Sequence, residues 1–244
     1  MQQTEPATPI TTPCTETING NPCGGYIQWV KIDGYTSAID CQECKIPQMV
    51  ERAFSGLDHS SRLSEELKAN AIRLLDTPIE TTQHNETVVK VLLDMPLDRR
   101  KVWLEGAVGS GKTFLLMHAL KRCIEATGES GLFLPESVFL KAWRSQYVTG
   151  LEAWGRRVLE RAEGVTWLVL DDFGQGRDLS SKAVDALDSL IMRRYESNRA
   201  ILLSTNLGPK ALQDMRGARS VSRLVELSGR PFVLSRGGWR GRNA

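Results

Sequence analysis

Gly106, Gly109, Ser110, Gly111, Lys112 and Thr113 belong to the run Gly-Ala-Val-Gly-Ser-Gly-Lys-Thr, which fits the spacing G-x-x-x-x-G-K-[ST]. The glycines let successive backbone N–H groups curl around phosphate oxygens, and the start of a following helix adds its dipole. Lys112 would reach the terminal phosphates and the Thr113 hydroxyl would coordinate Mg²⁺. A second group stands in "WLVLDDFG", an apolar run that delivers Asp171 and Asp172 at its end. At that distance after a phosphate loop, Asp171 is expected in the Mg²⁺ shell, and Asp172 is expected to orient and polarise the attacking water. A third is Asn206, at the end of "AILLSTN", within reach of a γ-phosphate or its water; taken alone it would be an ordinary turn residue. The ligands this chemistry calls for are ATP and Mg²⁺.

The cysteines offer different chemistry. Cys41 and Cys44 in "CQEC" have the spacing of a zinc knuckle, and Cys14 and Cys23 could supply the other two thiolates of a tetrahedral Zn²⁺ site. Reduced, unligated thiols or a redox pair are the competing readings. Cys123 lies on the apolar face of a helical pattern and reads as core. His59, His84 and His118 have no ligand spacing.

These groups need elements to position them. From residue 101 short apolar runs, "KVWLE", "GLFL", "VTWLVL", "AILLST" and "PFVLS", alternate with helical stretches. In "TFLLMHALKRCIEA" Leu116, Ala119, Leu120 and Cys123 share a face, as do Ala183, Leu187, Leu190 and Ile191 in "SSKAVDALDSLIMRRY". Strands alternating with helices imply an α/β fold, its parallel sheet covered on both faces. Between the second and third strands, Phe139, Trp143, Tyr147 and Leu151 recur every four residues and read as a buried stripe rather than a base-stacking platform. Lys141, Arg144, Arg156, Arg157 and Arg161 around them are available for phosphates. Upstream, residues 1–13 have the composition of a disordered tail, 14–50 form the zinc-binding domain with "YIQWVKID" as a strand, 51–84 form a helical linker, and the ATPase domain takes 85–244.

The chain of 244 residues carries a formal charge of only +2, so overall charge does not argue for nucleic acid. Through residue 50, however, two lysines face five acids, a net of −3, which leaves +5 on the rest and puts any polyanion-binding surface there. The N-terminus lacks the basic start and apolar run of a signal peptide, and no apolar stretch has membrane length. A cytoplasmic protein with no membrane contact is expected.

"LVLDDFG", then "IMRRYESNRAILLSTNL", then "SVSRL" resemble the AAA+ ATPases of the DnaC/DnaI helicase-loader and IstB-like group, over roughly residues 85–244. The resemblance implies a five-stranded parallel AAA+ sheet without a separate lid domain, in which the sensor-1 strand, ending here in Ser204, Thr205 and Asn206, lies between the P-loop and Walker B strands. It also implies an arginine finger at Arg223, with Arg219 as the rival, and a sensor-2-like role for Arg240 in "GGWRG". Asp172 departs from the group, standing where many AAA+ proteins have Glu. The implied function is ATP-dependent loading of a replicative DNA helicase: self-association through the ATPase domain on single-stranded DNA, docking of the helicase by the zinc domain, and release on hydrolysis. A transposition ATPase acting on duplex DNA, or a nucleotide-gated zinc adaptor with little hydrolysis, are the alternatives.

Overall fold

The computed structural model describes residues 10–15, 17–18, 21–23, 26–32, 35–39, 41–54, 75, 78–79, 85–86, 88–90, 101–176 and 180–234. The chain divides into two compact units, Met1–Val50 and Glu51–Ala244. In the first, β1 (Ile10–Pro13) pairs antiparallel with β4 (Tyr26–Ile32), which pairs antiparallel with β5 (Tyr35–Ile39). A short ladder joins β2 (Thr17–Ile18) to β3 (Asn21–Pro22), and α1 (Gln42–Phe54) starts inside the "CQEC" run. The strand β1 corrects the expectation of a disordered tail through residue 13. Ile10, Thr11 and Thr12 are β-branched and favour extended backbone, and Pro13 is tolerated at the end of an edge strand, where no ladder N–H is needed. Most of the expected linker, 51–84, lies outside the described residues.

The second unit is built on a five-stranded parallel sheet in the order β10-β6-β9-β8-β7. Its elements are β6 (Val102–Gly106), α2 (Lys112–Thr127), β7 (Gly131–Pro135), α3 (Glu136–Ser145), α4 (Glu152–Gly164), β8 (Trp167–Phe173), α5 (Ser181–Glu196), β9 (Ile201–Thr205), α6 (Pro209–Arg216), α7 (Ala218–Ser228) and β10 (Phe232–Leu234). As the resemblance implies, β9 lies between β6 and β8. The central strands are apolar throughout, because parallel strands under helices have no solvent face: Trp103, Leu104, Leu168, Val169, Leu202 and Leu203 are all fully enclosed. Truncating one such leucine to alanine costs roughly 2–5 kcal/mol. Among the described residues no helix is long and apolar enough to cross a membrane.

Helices α3 and α4 form a hairpin. Gly155 of α4 lets them approach, since a Cβ there would stand 2.4 Å from the Ala142 carbonyl oxygen of α3. The expected buried stripe fails here. Phe139 is buried and Trp143 and Leu151 are half-buried, but Tyr147 is 77% exposed, edge-on to Trp143 at 5.9 Å. The reason is that α3 ends at Ser145, so the four-residue repeat leaves the helix before it reaches Tyr147. Two of the five nearby cations are also engaged. Lys141 lies over the Trp154 ring, and Arg161 donates to the Arg52 carbonyl oxygen at 2.8 Å, while Arg144, Arg156 and Arg157 are exposed.

Arg194, fully buried on α5, closes the far end of this hairpin. It donates to the carbonyl oxygens of Ala162 and Val165 at 2.9 Å, Thr166 at 3.0 Å and Ala200 at 2.8 Å, tying the end of α4 to the start of β9. Burial pushes its pKa down to about 9, with Arg199 adding to the effect, so it stays charged at neutral pH.

Candidate nucleotide site and metal centre

The glycine-rich loop leaves the carboxyl end of β6 and enters α2. Gly109 and Gly111 have φ of 81° and 90°, a left-handed geometry that a side chain would strain. No side chain caps α2 at Gly111, and a helix start of this kind suits phosphate oxygens. Lys112 is buried and its Nζ donates to the carbonyl oxygens of Gly106 and Ala107, both at 2.9 Å, and to Asn206 Oδ1 at 2.6 Å. Two residues 94 apart in sequence thus share one hydrogen bond, because β6 and β9 are neighbours in the sheet. Beside them, Thr113 Oγ1 donates to Asp171 Oδ2 at 3.0 Å.

Ser204 Oγ donates to Asp171 Oδ1 and accepts from the Asp172 N–H at 2.9 Å. Asp172 is exposed, with a left-handed φ of 54°, where the register between β8 and β9 shifts. Burial pushes the Asp171 carboxyl up, helped by the adjacent Asp172 charge and opposed by hydrogen bonds from Ser204 and Thr113. Burial pushes Lys112 down, against the pull of Asp172 and Asp171. A cation at Asp171 and anionic phosphate at Lys112 would each restore the charge that burial disfavours.

The remaining arginines divide. Arg223 on α7 is half-buried with its guanidinium 5.6 Å from the centre of the Tyr195 ring, whose hydroxyl is pushed up by its hydrogen bond to Glu226. Arg219, four residues earlier, is exposed. Arg240 lies outside the described residues. Sequence reasoning missed the roles of Ser204, which bridges both aspartates, and of Glu136 and Arg216, an enclosed ion pair. Glu at the start of a helix and Arg at the end of one are ordinary dipole partners, so nothing marked that pair.

In the first unit Cys14, Cys23, Cys41 and Cys44 place their four sulfurs within 4.8 Å of one another. Cys14 lies 3.5 Å from Cys44, and Cys23 lies 3.5 Å from Cys41. Tetrahedral zinc with Zn–S bonds of about 2.3 Å needs sulfurs about 3.8 Å apart, so this donor set fits the ion. The Cys44 backbone N–H pulls the Cys41 thiol down, and hydrogen bonding to Cys23 and burial push Cys44 up. Crowded thiols behave this way: one thiolate makes the next harder to form, and a cation between them reverses that. Cys123 is buried in the core of the other unit.

Phosphate loop, acidic strand end and β10-β6-β9-β8-β7 sheet together define an AAA+ fold. Among solved structures it is similar to the DnaC helicase loader, with TM-score 0.54 and 22% identity over 67% of this chain and 96% of that one. It is also similar to DnaI, with TM-score 0.52 and 14% identity over 67% and 93% of the two chains. AMPPCP-bound DnaA from Aquifex aeolicus follows at TM-score 0.51 and 20% identity, over 64% of this chain and 48% of that one. No protein-family model matches the sequence, and no curated protein matches it.

Proposed function

We propose that the chain is an ATP-dependent replicative helicase loader: with ATP bound it assembles on single-stranded DNA and on the helicase, and hydrolysis releases it. The observation that carries this reading is the reach of the fold likeness, which takes in 96% of the DnaC helicase loader but 48% of the DnaA chain. In this reading the loop N–H groups and Lys112 hold the phosphates of ATP, and Thr113 with Asp171 holds Mg²⁺, which neutralises charge building on the transferred phosphoryl group. Asp172 accepts the proton of the attacking water. Asn206 exchanges its bond to Lys112 for the γ-phosphate or the water. Arg223 serves a neighbouring copy as the finger, with Arg219 as the residue to test next.

Zinc held by the four cysteines folds the first unit, which docks the helicase. The exposed Tyr147, with Arg144, Arg156 and Arg157 near the α3–α4 tip, supplies a ring for base stacking and cations for phosphates. Affinity capture with the full chain, and in parallel with a chain lacking residues 1–50, followed by mass spectrometry, tests the reading. A replicative helicase held only by the full chain is the expected result. Recovery of a transposase instead would overturn it.

A further inference from the structure

Glu136 and Arg216 form an ion pair in which each side chain is only 1% exposed, far from what two charges on a surface would show. Glu136 Oε1 accepts from Arg216, and its Oε2 accepts from the backbone N–H groups of Gly174, Gln175 and Gly176 at 2.9, 3.0 and 3.2 Å. Those three N–H groups follow directly on Asp172 and Phe173. Arg216 also lies over the Phe173 ring, 5.6 Å from its centre. A left-handed φ such as the 54° of Asp172 is uncommon for a non-glycine residue, and here the backbone is held on both sides of it. Upstream, Ser204 and Thr113 hold Asp171, and Ser204 holds the Asp172 N–H. Downstream, Thr205 Oγ1 donates to the Phe173 carbonyl oxygen at 2.7 Å, and beyond it the Glu136 carboxylate gathers the turn.

Arg216 is the last residue of α6, and one residue, Gly217, separates it from α7, which carries Arg219 and Arg223. We propose that Glu136 and Arg216 are positioning residues for hydrolysis: they fix the 174–176 turn so that Asp172 keeps its orientation, and they tether that turn to the α6–α7 corner. The inference rests on the reading that Asp172 activates water. The pair bonds to the 174–176 turn and to itself rather than to the phosphate loop, so its loss is expected to change turnover and leave binding nearly intact.

The test is the paired variant Glu136→Met/Arg216→Met, which strands no single buried charge, alongside Glu136→Gln, whose amide oxygen still accepts from the turn. The paired variant is expected to bind a fluorescent ATP analogue within about 3-fold of wild type, to lose about 10- to 100-fold in kcat, and to exchange the amide hydrogens of residues 174–176 about 10-fold faster. Glu136→Gln is expected to recover part of both. In an Asp172→Asn background the paired change is expected to cause no further loss, because it acts through Asp172. Unchanged exchange at 174–176, or an equal further fall in the Asp172→Asn background, would overturn the proposal. A wild-type chain that never hydrolyses ATP would refute the functional reading instead, and exchange would still decide whether the clamp exists.

Discussion

Lys112 and Thr113 at the start of α2, Asp171 in β8 and Asn206 just after β9 stand on a sheet whose central strands are enclosed on both faces, with Trp103, Leu170 and Leu203 fully buried. In the unit Met1–Val50, the four cysteines sit in a turn after β1, a turn after β3 and the start of α1, and two of them are half-buried. The first site is set by a core that exists without ligand. In the proposed reading the second has too little chain to build such a core, so zinc is expected to hold its fold. Removing the ligand groups should therefore have opposite consequences in the two regions.

The largest effect is expected at the cysteines. The purified chain should hold about one zinc, and chelation or Cys41→Ser should melt the first unit, since structural zinc contributes on the order of 10 kcal/mol to such folds. Elemental analysis and limited proteolysis check this, with the thermal transition of the second unit unchanged. Full zinc retention in Cys14→Ser would show that the fourth ligand is another group.

At the phosphate loop Lys112→Ala should weaken ATP binding about 100-fold or more while the fold melts no earlier, because the lysine contributes charge to phosphates and little to the core. Equilibrium binding and calorimetry check the two halves. Asp172→Asn should bind normally and lose about 100-fold or more in hydrolysis, since an amide cannot serve as the base. Wild-type turnover in that variant would move the water-activating role elsewhere.

Arg223→Ala should spare binding by the isolated chain and, mixed into wild type, depress the ATPase rate more steeply than its fraction, because the finger acts in trans. A linear fall with assembly unchanged would make Arg223 an ordinary surface residue.

The smallest effect concerns the charge of Asp171 in β8. The folded pKa of Asp171 is raised above its unfolded 3.8, so keeping it ionised costs stability at pH above the folded value, and that cost fades as pH falls through it. Asp171→Asn should therefore raise Tm at pH 8, with the gain shrinking toward pH 4. A lower Tm at pH 8 would show that Asp171 is not strained by burial.

Legibility in the sequence followed the same division. The P-loop, both aspartates and Asn206 stood at the ends of short apolar runs, and the resemblance to AAA+ ATPases implied the strand order that brings them together. Periodicity failed at Tyr147, since a four-residue repeat cannot report that a helix stops two residues earlier. Composition failed at Ile10–Pro13, because threonines that suit a tail also suit an edge strand. The bridging role of Ser204 and the pairing of Glu136 with Arg216 became visible only in three dimensions, where a hydroxyl and a carboxylate gather backbone from elements distant in sequence.

ATP-gated assembly on single strands is the centre of the proposed function, and sedimentation measures it directly. The full, zinc-loaded chain is mixed with a labelled single-stranded oligonucleotide or with its duplex, in the presence of ATP, ADP or no nucleotide. Multi-copy complexes that form on the single strand with ATP and dissolve with ADP are the expected result. Equal or stronger assembly on the duplex, or assembly indifferent to nucleotide, would contradict it.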